Sequence, residues 1–139
     1  MHQTPRQLRL ASWIAVAGWA LGIFILSSLS GKKIEEMNTF DVSDKVAHFG
    51  AYAVGAVVLT FAFRWNTAWS WPRIIWLTIA AISLYGVTDE WHQLYTPFRS
   101  GGDLADWTAD ALGAIVGAVT AAFFHARYSP KNRPAPCGA

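Results

Sequence analysis

Residues Ala11 to Ser30 form a run of 20 without a single formal charge. At 1.5 Å per residue a helix of that length covers about 30 Å, the thickness of a bilayer's hydrocarbon core. The run predicts a membrane span. A cleaved signal peptide is the rival reading, because Arg6 and Arg9 precede the run. Signal h-regions are usually shorter, however, and no A-x-A site follows. Three further apolar stretches lie at about 46–63, 74–93 and 104–124. Pro72 suits the first turn of the third of these four helices, while Pro97 and Ser100-Gly101-Gly102 break the chain before the fourth. The expected architecture is an all-α membrane protein, a bundle of four transmembrane helices forming one domain over residues 1–128. A disordered cytoplasmic tail, rich in proline, is expected over 129–139.

Composition agrees with a lipid solvent. With 53% of residues hydrophobic and 14% charged, the chain has too few charges to cover the surface of an ordinary globular domain. Eight tryptophans fit the headgroup level, where an indole has one apolar and one wet edge. Trp91 and Trp107 are expected at one interface and Trp65, Trp69 and Trp71 at the other. A net charge of +2, with no basic run interleaved with aromatics, argues against a nucleic-acid partner. Cys137 is the only cysteine, so neither a disulfide framework nor a thiolate metal site is available.

Charge also sets an orientation, since basic residues flanking a span stay on the cytoplasmic side. With four spans, both termini share a side with the loop from Arg64 to Arg73. That side holds Arg6, Arg9, Arg64, Arg73, Arg127, Lys131 and Arg133 and no acid. The other side holds Lys32, Lys33, Lys45, Arg99 and all nine acids. Both termini are therefore expected to be cytoplasmic, in a multi-pass protein of the cell's inner (cytoplasmic) membrane.

The acids do not all fit in water. Ile74 to Val87 and Ala111 to Phe124 are the uninterrupted apolar parts of the last two spans, 14 residues each. Each covers only about 21 Å, so Asp89, Glu90, Asp110 and Asp106 are drawn towards membrane depth. An ionised Asp at the centre of a membrane helix costs about 2.5 to 3.5 kcal/mol on insertion scales, and less near the interface. These groups should face the bundle interior and be matched there. Helical spacing agrees, because Asp103, Asp106, Asp110, Gly113 and Gly117 step along one face. The glycines allow close backbone approach, and Gly18 with Gly22 offers the first span a similar surface. Lys45, His48, Phe49 and Tyr52 share a face of the second span and can point an amine and an imidazole at the acids. Arg99 can supply a planar fork to a carboxylate or a phosphate. His92, beside Trp91, reads as a solvated headgroup-level residue. The segment from Gly31 to Phe40 reads as a loop that lies along the membrane or covers the acids, its Lys32-Lys33 and Glu35-Glu36 pairs solvated.

These residues carry a resemblance. Ser43-Asp44-Lys45-Val46-Ala47-His48-Phe49-Gly50-Ala51-Tyr52, then Thr88-Asp89-Glu90-Trp91-His92-Gln93 with Pro97-Phe98-Arg99, then Asp103-Leu104-Ala105-Asp106-Trp107 with Asp110 and Gly113 resemble the VanZ-like membrane proteins, a family named after a component linked to teicoplanin resistance. The chain departs from many relatives in carrying Asp110 where they have Asn. The resemblance implies a small multi-span envelope protein, some relatives of which are associated with lowered glycopeptide sensitivity. It implies no particular reaction.

Three functional readings follow. In the first, the polar cluster binds or processes the headgroup of an envelope lipid or polyprenyl-linked cell-wall precursor. Lys45 and Arg99 would hold phosphate, Gln93 and Tyr52 would hydrogen-bond, and Asp89, Asp103 and Asp110 would receive amines or a divalent metal. In the second, the site is catalytic, with His48, Glu90 and Asp106 handling protons, or a metal held by Asp89, Asp106 and Asp110 activating water. In the third, the cluster is an ion-paired lock between helices, and the role is to bind a partner within the membrane. An ion conduit is disfavoured, because Thr60 and Thr78 stand isolated in the inner halves of the spans.

Overall fold

The structure, a computed structural model, describes residues 5–39 and 42–128. Phe40, Asp41, the expected 129–139 tail and Cys137 lie outside the described residues. Five helices follow in order, α1 (Arg6–Ser28), α2 (Gly31–Met37), α3 (Asp44–Asn66), α4 (Trp71–Gln93) and α5 (Leu104–Tyr128). Among the described residues there is no strand. The four long helices are each apolar and long enough to cross a membrane.

Local sequence explains the ends. Pro72 sits in the first turn of α4, where a missing N–H costs no helical bond. Asp44 and Asp106 occupy the first turns of α3 and α5, and Arg64, His125 and Arg127 their last turns, each sign matched to the helix dipole. The expected loop after α1 is in part helical. Ser30 caps α2 by accepting from the Lys33 amide at 3.4 Å, and Lys33 pairs with Glu36 across one turn at 3.2 Å. The spans also run longer than the apolar stretches alone indicate, because the polar residues at their ends continue the helical ladder.

Side-chain contacts define the directions. Ser27 near the end of α1 meets Asp89 near the end of α4, whereas Lys45 at the start of α3 meets Asp106 at the start of α5. So α1 and α4 run one way and α3 and α5 the other. The closest pair is α3 with α5. A Cβ added at Gly113 would strike the Phe49 carbonyl, and one at Gly117 the Ala53 carbonyl. Ala56, Ala114 and Ala118 fill the same seam, fully buried. This is small-residue packing of the kind that membrane helices use in place of a hydrophobic driving force. Gly18 and Gly22 behave differently, since nothing lies within 4 Å of an added Cβ at either. The surface expected on α1 is present, but no helix among the described residues packs closely on these two glycines.

Outward faces are apolar. Leu21, Phe24, Ile25, Leu84, Leu112, Val116 and Phe123 are all exposed, which suits hydrocarbon around the bundle. Two tryptophans depart from an interfacial role. Trp19 donates to the Ala51 carbonyl at 2.9 Å and packs edge-on against Tyr52, and Trp107 donates to the Ser83 carbonyl at 3.0 Å. Each spends its indole N–H on a neighbouring helix. Thr60 and Thr78 are not isolated either. Both are buried, and the Thr60 hydroxyl donates to that of Thr78 at 3.4 Å. At the end opposite the acids, Arg64 stacks over Trp71 and Arg73 over Trp69, which ties basic residues to rings at one level.

Candidate functional site

The polar end divides into two groups. The first is built by α3 and α5. Asp103 immediately precedes α5, and its carboxylate accepts from the Ala105 amide at 2.7 Å in the manner of an N-cap. That bond, followed by the nearby Lys45, holds the Asp103 carboxyl below its ordinary range. One turn on, Asp106 is buried and pairs with the Lys45 ammonium at 2.8 Å, while Lys45 also reaches Asp103 at 3.4 Å. Lys45 is half exposed, its apolar stem crossing to the acids while its head stays near water. One turn deeper, the His48 Nδ1 lies 2.9 Å from Asp110 Oδ1, and Nε2 faces Asp44 Oδ1 at 4.0 Å. Glu90 enters from α4. Its Oε2 accepts from the Asp103 amide at 2.9 Å and its backbone carbonyl from the Gly102 amide at 3.2 Å. The α4–α5 turn is thereby tied back to the end of α4. Gly102 has φ +77°, which a residue with a side chain rarely adopts.

The second group is built by α1, α4 and the segment after α4. Asp89 is buried, and its two oxygens accept from the Ser27 hydroxyl and, at 3.1 Å, from the Gln93 amide. Gln93 in turn accepts from Arg99 Nε at 3.1 Å. No carboxylate pairs with Arg99 among the described residues, so the terminal nitrogens of its fork are free of anionic partners. The Thr96 hydroxyl donates to the Ser27 carbonyl at 3.0 Å, and the Gly31 amide to the Pro97 carbonyl at 3.1 Å. These bonds fasten the segment to the α1–α2 junction. Phe98, just before Arg99, has φ 59°. For a bulky residue this is a strained conformation, of the sort concentrated at functional loops.

Between α1, α2, α3 and the end of α4 lies a cavity of about 500 Å³. Ile23, Leu26, Ile34, Met37 and Val42 supply apolar walls, and Asp44, His48, Tyr52, Asp89, Gln93 and Arg99 supply polar ones. The Tyr52 hydroxyl is buried there near the Asp89 carboxylate. A second cavity of about 460 Å³ lies against α1 and α4, between Phe24, Tyr85, Trp91, His92 and Tyr95, and shares Asp89 with the first. His92 is half-buried in it, stacked on Phe24 at 4.9 Å and 3.0 Å from the Ser28 hydroxyl.

Of the residues singled out from sequence, Asp89, Gln93, Arg99, His48 and Tyr52 line the larger cavity. Lys45, Glu90, Asp103, Asp106 and Asp110 do not; they stand behind its wall. The expected metal set of Asp89, Asp106 and Asp110 is not among the groups whose donor atoms lie within 4.8 Å of one another in the described residues. Two groups do bring donor atoms within 4.8 Å of one another, Asp44 with His48 and Asp106, and His48 with Glu90 and Asp110. Ser27 and Thr96 carry no signal in the sequence, whereas the segment expected to cover the acids does contribute, since Gly31, Ile34, Glu35 and Met37 line the cavity. Ser27 gives no motif signal, because its partner is 62 residues away. The only local hint is a pair of hydroxyls closing an apolar span.

The molecule is thus a four-span membrane protein with its acids, an imidazole and an arginine gathered at one end of the bundle. The VanZ/LLP1 family matches the chain over residues 12–125, and the chain belongs to that family. No curated protein and no solved structure matches it.

Proposed function

We propose that this chain binds the phosphate-bearing headgroup of an envelope lipid, such as a polyprenyl-linked cell-wall precursor, in the larger cavity, and thereby lowers sensitivity to glycopeptide antibiotics such as teicoplanin. The observation that carries this reading is Arg99. It lines a cavity of mixed apolar and polar walls, is positioned through Nε by Gln93, and forms no ion pair with a carboxylate among the described residues. A guanidinium so placed matches phosphate oxygens two at a time. Ile23, Leu26 and Met37 then suit the first methylenes of a lipid tail, and the Tyr52 hydroxyl lines the same cavity. The segregation of basic residues supports an outer-leaflet position for this end, with both termini cytoplasmic. Lys45, expected to share the phosphate with Arg99, is in this reading a weaker phosphate ligand, because Asp103 and Asp106 pair with its ammonium.

That same ion pair favours a second reading for the α3–α5 group, a lock that holds the bundle's polar end together. The two readings are tested in cells expressing the wild type, Arg99→Gln or Asp106→Asn, by profiling glycopeptide sensitivity and envelope lipids alongside membrane abundance. Lipid binding requires Arg99→Gln to remain abundant and to lose the wild-type effect. Undiminished effect in Arg99→Gln contradicts it. A fall in abundance confined to Asp106→Asn fits the lock.

A further inference from the structure

The buried face of His48 presents an unresolved electrostatic problem. His48, Glu90 and Asp110 are 8%, 5% and 0% exposed. Each offers a donor atom within 4.8 Å of the others. Yet Glu90 Oε1 and Asp110 Oδ2 are both buried without a hydrogen-bond partner. Leaving two carboxylate oxygens unpaired away from water is costly, each forgoing the solvation of a charged group. Among the described residues no lysine or arginine pairs with them, and the Lys45 ammonium is engaged by Asp103 and Asp106.

We propose that His48, Glu90 and Asp110 hold a first-row divalent cation, zinc or manganese, behind the wall of the larger cavity. One imidazole with two carboxylates is a donor set suited to these ions. Three donors at the 4.8 Å limit stand no more than about 2.8 Å from a shared point, against roughly 2.0–2.2 Å for zinc–nitrogen and zinc–oxygen bonds. Closing on the ion asks each side chain to move by less than about 1 Å. Asp44, 4.0 Å from His48 Nε2, is beyond hydrogen-bond distance as it stands, and comes to accept the ring's Nε2–H only when the Nδ1–Asp110 contact gives way to an ion on Nδ1, the usual arrangement behind a metal-bound histidine. The alternative set, Asp44 with His48 and Asp106, is weaker, because the Lys45 ammonium already sits on Asp106 at 2.8 Å. The chosen set differs from the Asp89, Asp106 and Asp110 set that the sequence suggested, because Asp89 turns to Ser27 and Gln93 instead.

The test uses the full chain purified in detergent, stripped of metal and titrated with Zn²⁺, Mn²⁺ and Mg²⁺ separately. Bound metal is measured by mass spectrometry, and fold is followed by circular dichroism and gel filtration. The expected result is one Zn²⁺ or Mn²⁺ per chain, with affinity falling at least about tenfold in Glu90→Gln and Asp110→Asn, about tenfold in Asp44→Asn, and little in Asp106→Asn. Absence of stoichiometric metal overturns the proposal. So does unaltered affinity in Glu90→Gln, or a loss confined to Asp106→Asn. X-ray absorption of the Zn²⁺-loaded wild type needs no variant. One imidazole with oxygen donors is expected, and a shell without imidazole refutes the site.

Discussion

Asp106 and Asp89 are both buried carboxylates at the same end of one bundle, yet they are satisfied in opposite ways. Asp106 is matched by a full positive charge, the Lys45 ammonium, in the tightest seam of the molecule. Asp89 is matched only by neutral donors, Ser27 and Gln93, beside two cavities. A carboxylate already neutralised belongs to the framework. One held by a hydroxyl and an amide lines the cavity instead. On the proposed function, the α3–α5 seam is a scaffold half, and the cavity walled by α1, α2, the adjoining face of α3 and the end of α4 is a receptive half.

The strongest way to break that division is to overpack each half in turn. Gly113→Leu drives a side chain into the Phe49 carbonyl. It is expected to cost about 3 kcal/mol or more, read as a large drop in melting temperature in detergent. Gly18→Leu enters open space and should stay within about 0.5 kcal/mol of wild type. Equal losses would erase the distinction. A smaller effect is expected from neutralising the acids. Asp106→Asn should lower the melting temperature by several degrees, because Lys45 retains only Asp103. Asp89→Asn preserves most of its hydrogen-bonding geometry and should change it by less, and the reverse order would exchange the roles of the two halves.

The smallest expected effect concerns pH. The Asp103 carboxyl is held below its ordinary value of 3.8, chiefly by the Ala105 amide. Its contribution to stability is therefore complete above that value and disappears as pH falls through the lower, folded-state value. Thermal melts should show wild type losing a small increment of stability below about pH 4 that Asp103→Asn lacks. Exposure and salt screening keep that increment small.

What the sequence revealed and what it hid follow from the range of the forces involved. The four spans and the stripe of Asp106, Asp110, Gly113 and Gly117 were legible, because helical period and apolar length are local properties of a chain. Neighbouring runs also announced that Lys45 and His48 would turn towards the acids of α5. The Ser27–Asp89 contact was not legible, since it depends on α1 lying beside α4 and joins two residues without a spacing rule. The Trp19 contact has no sequence signal for a related reason: composition assigns indoles as a class to the headgroup level, whereas this one donates to a carbonyl on α3. The short helix α2 was read as loop, although Ser30 and the Lys33–Glu36 pair are visible signals once a cap is sought three residues ahead.

The central claim is that the receptive half holds a lipid phosphate on Arg99. Native mass spectrometry of the purified chain with a short polyprenyl phosphate, beside the uncharged polyprenol, tests it most directly. The account predicts one polyprenyl phosphate per chain, weak retention of the alcohol, and at least about a tenfold loss in Arg99→Gln, in line with roughly 1.5–3 kcal/mol for a charged hydrogen bond. Equal retention of phosphate and alcohol, or full binding by Arg99→Gln, would contradict it.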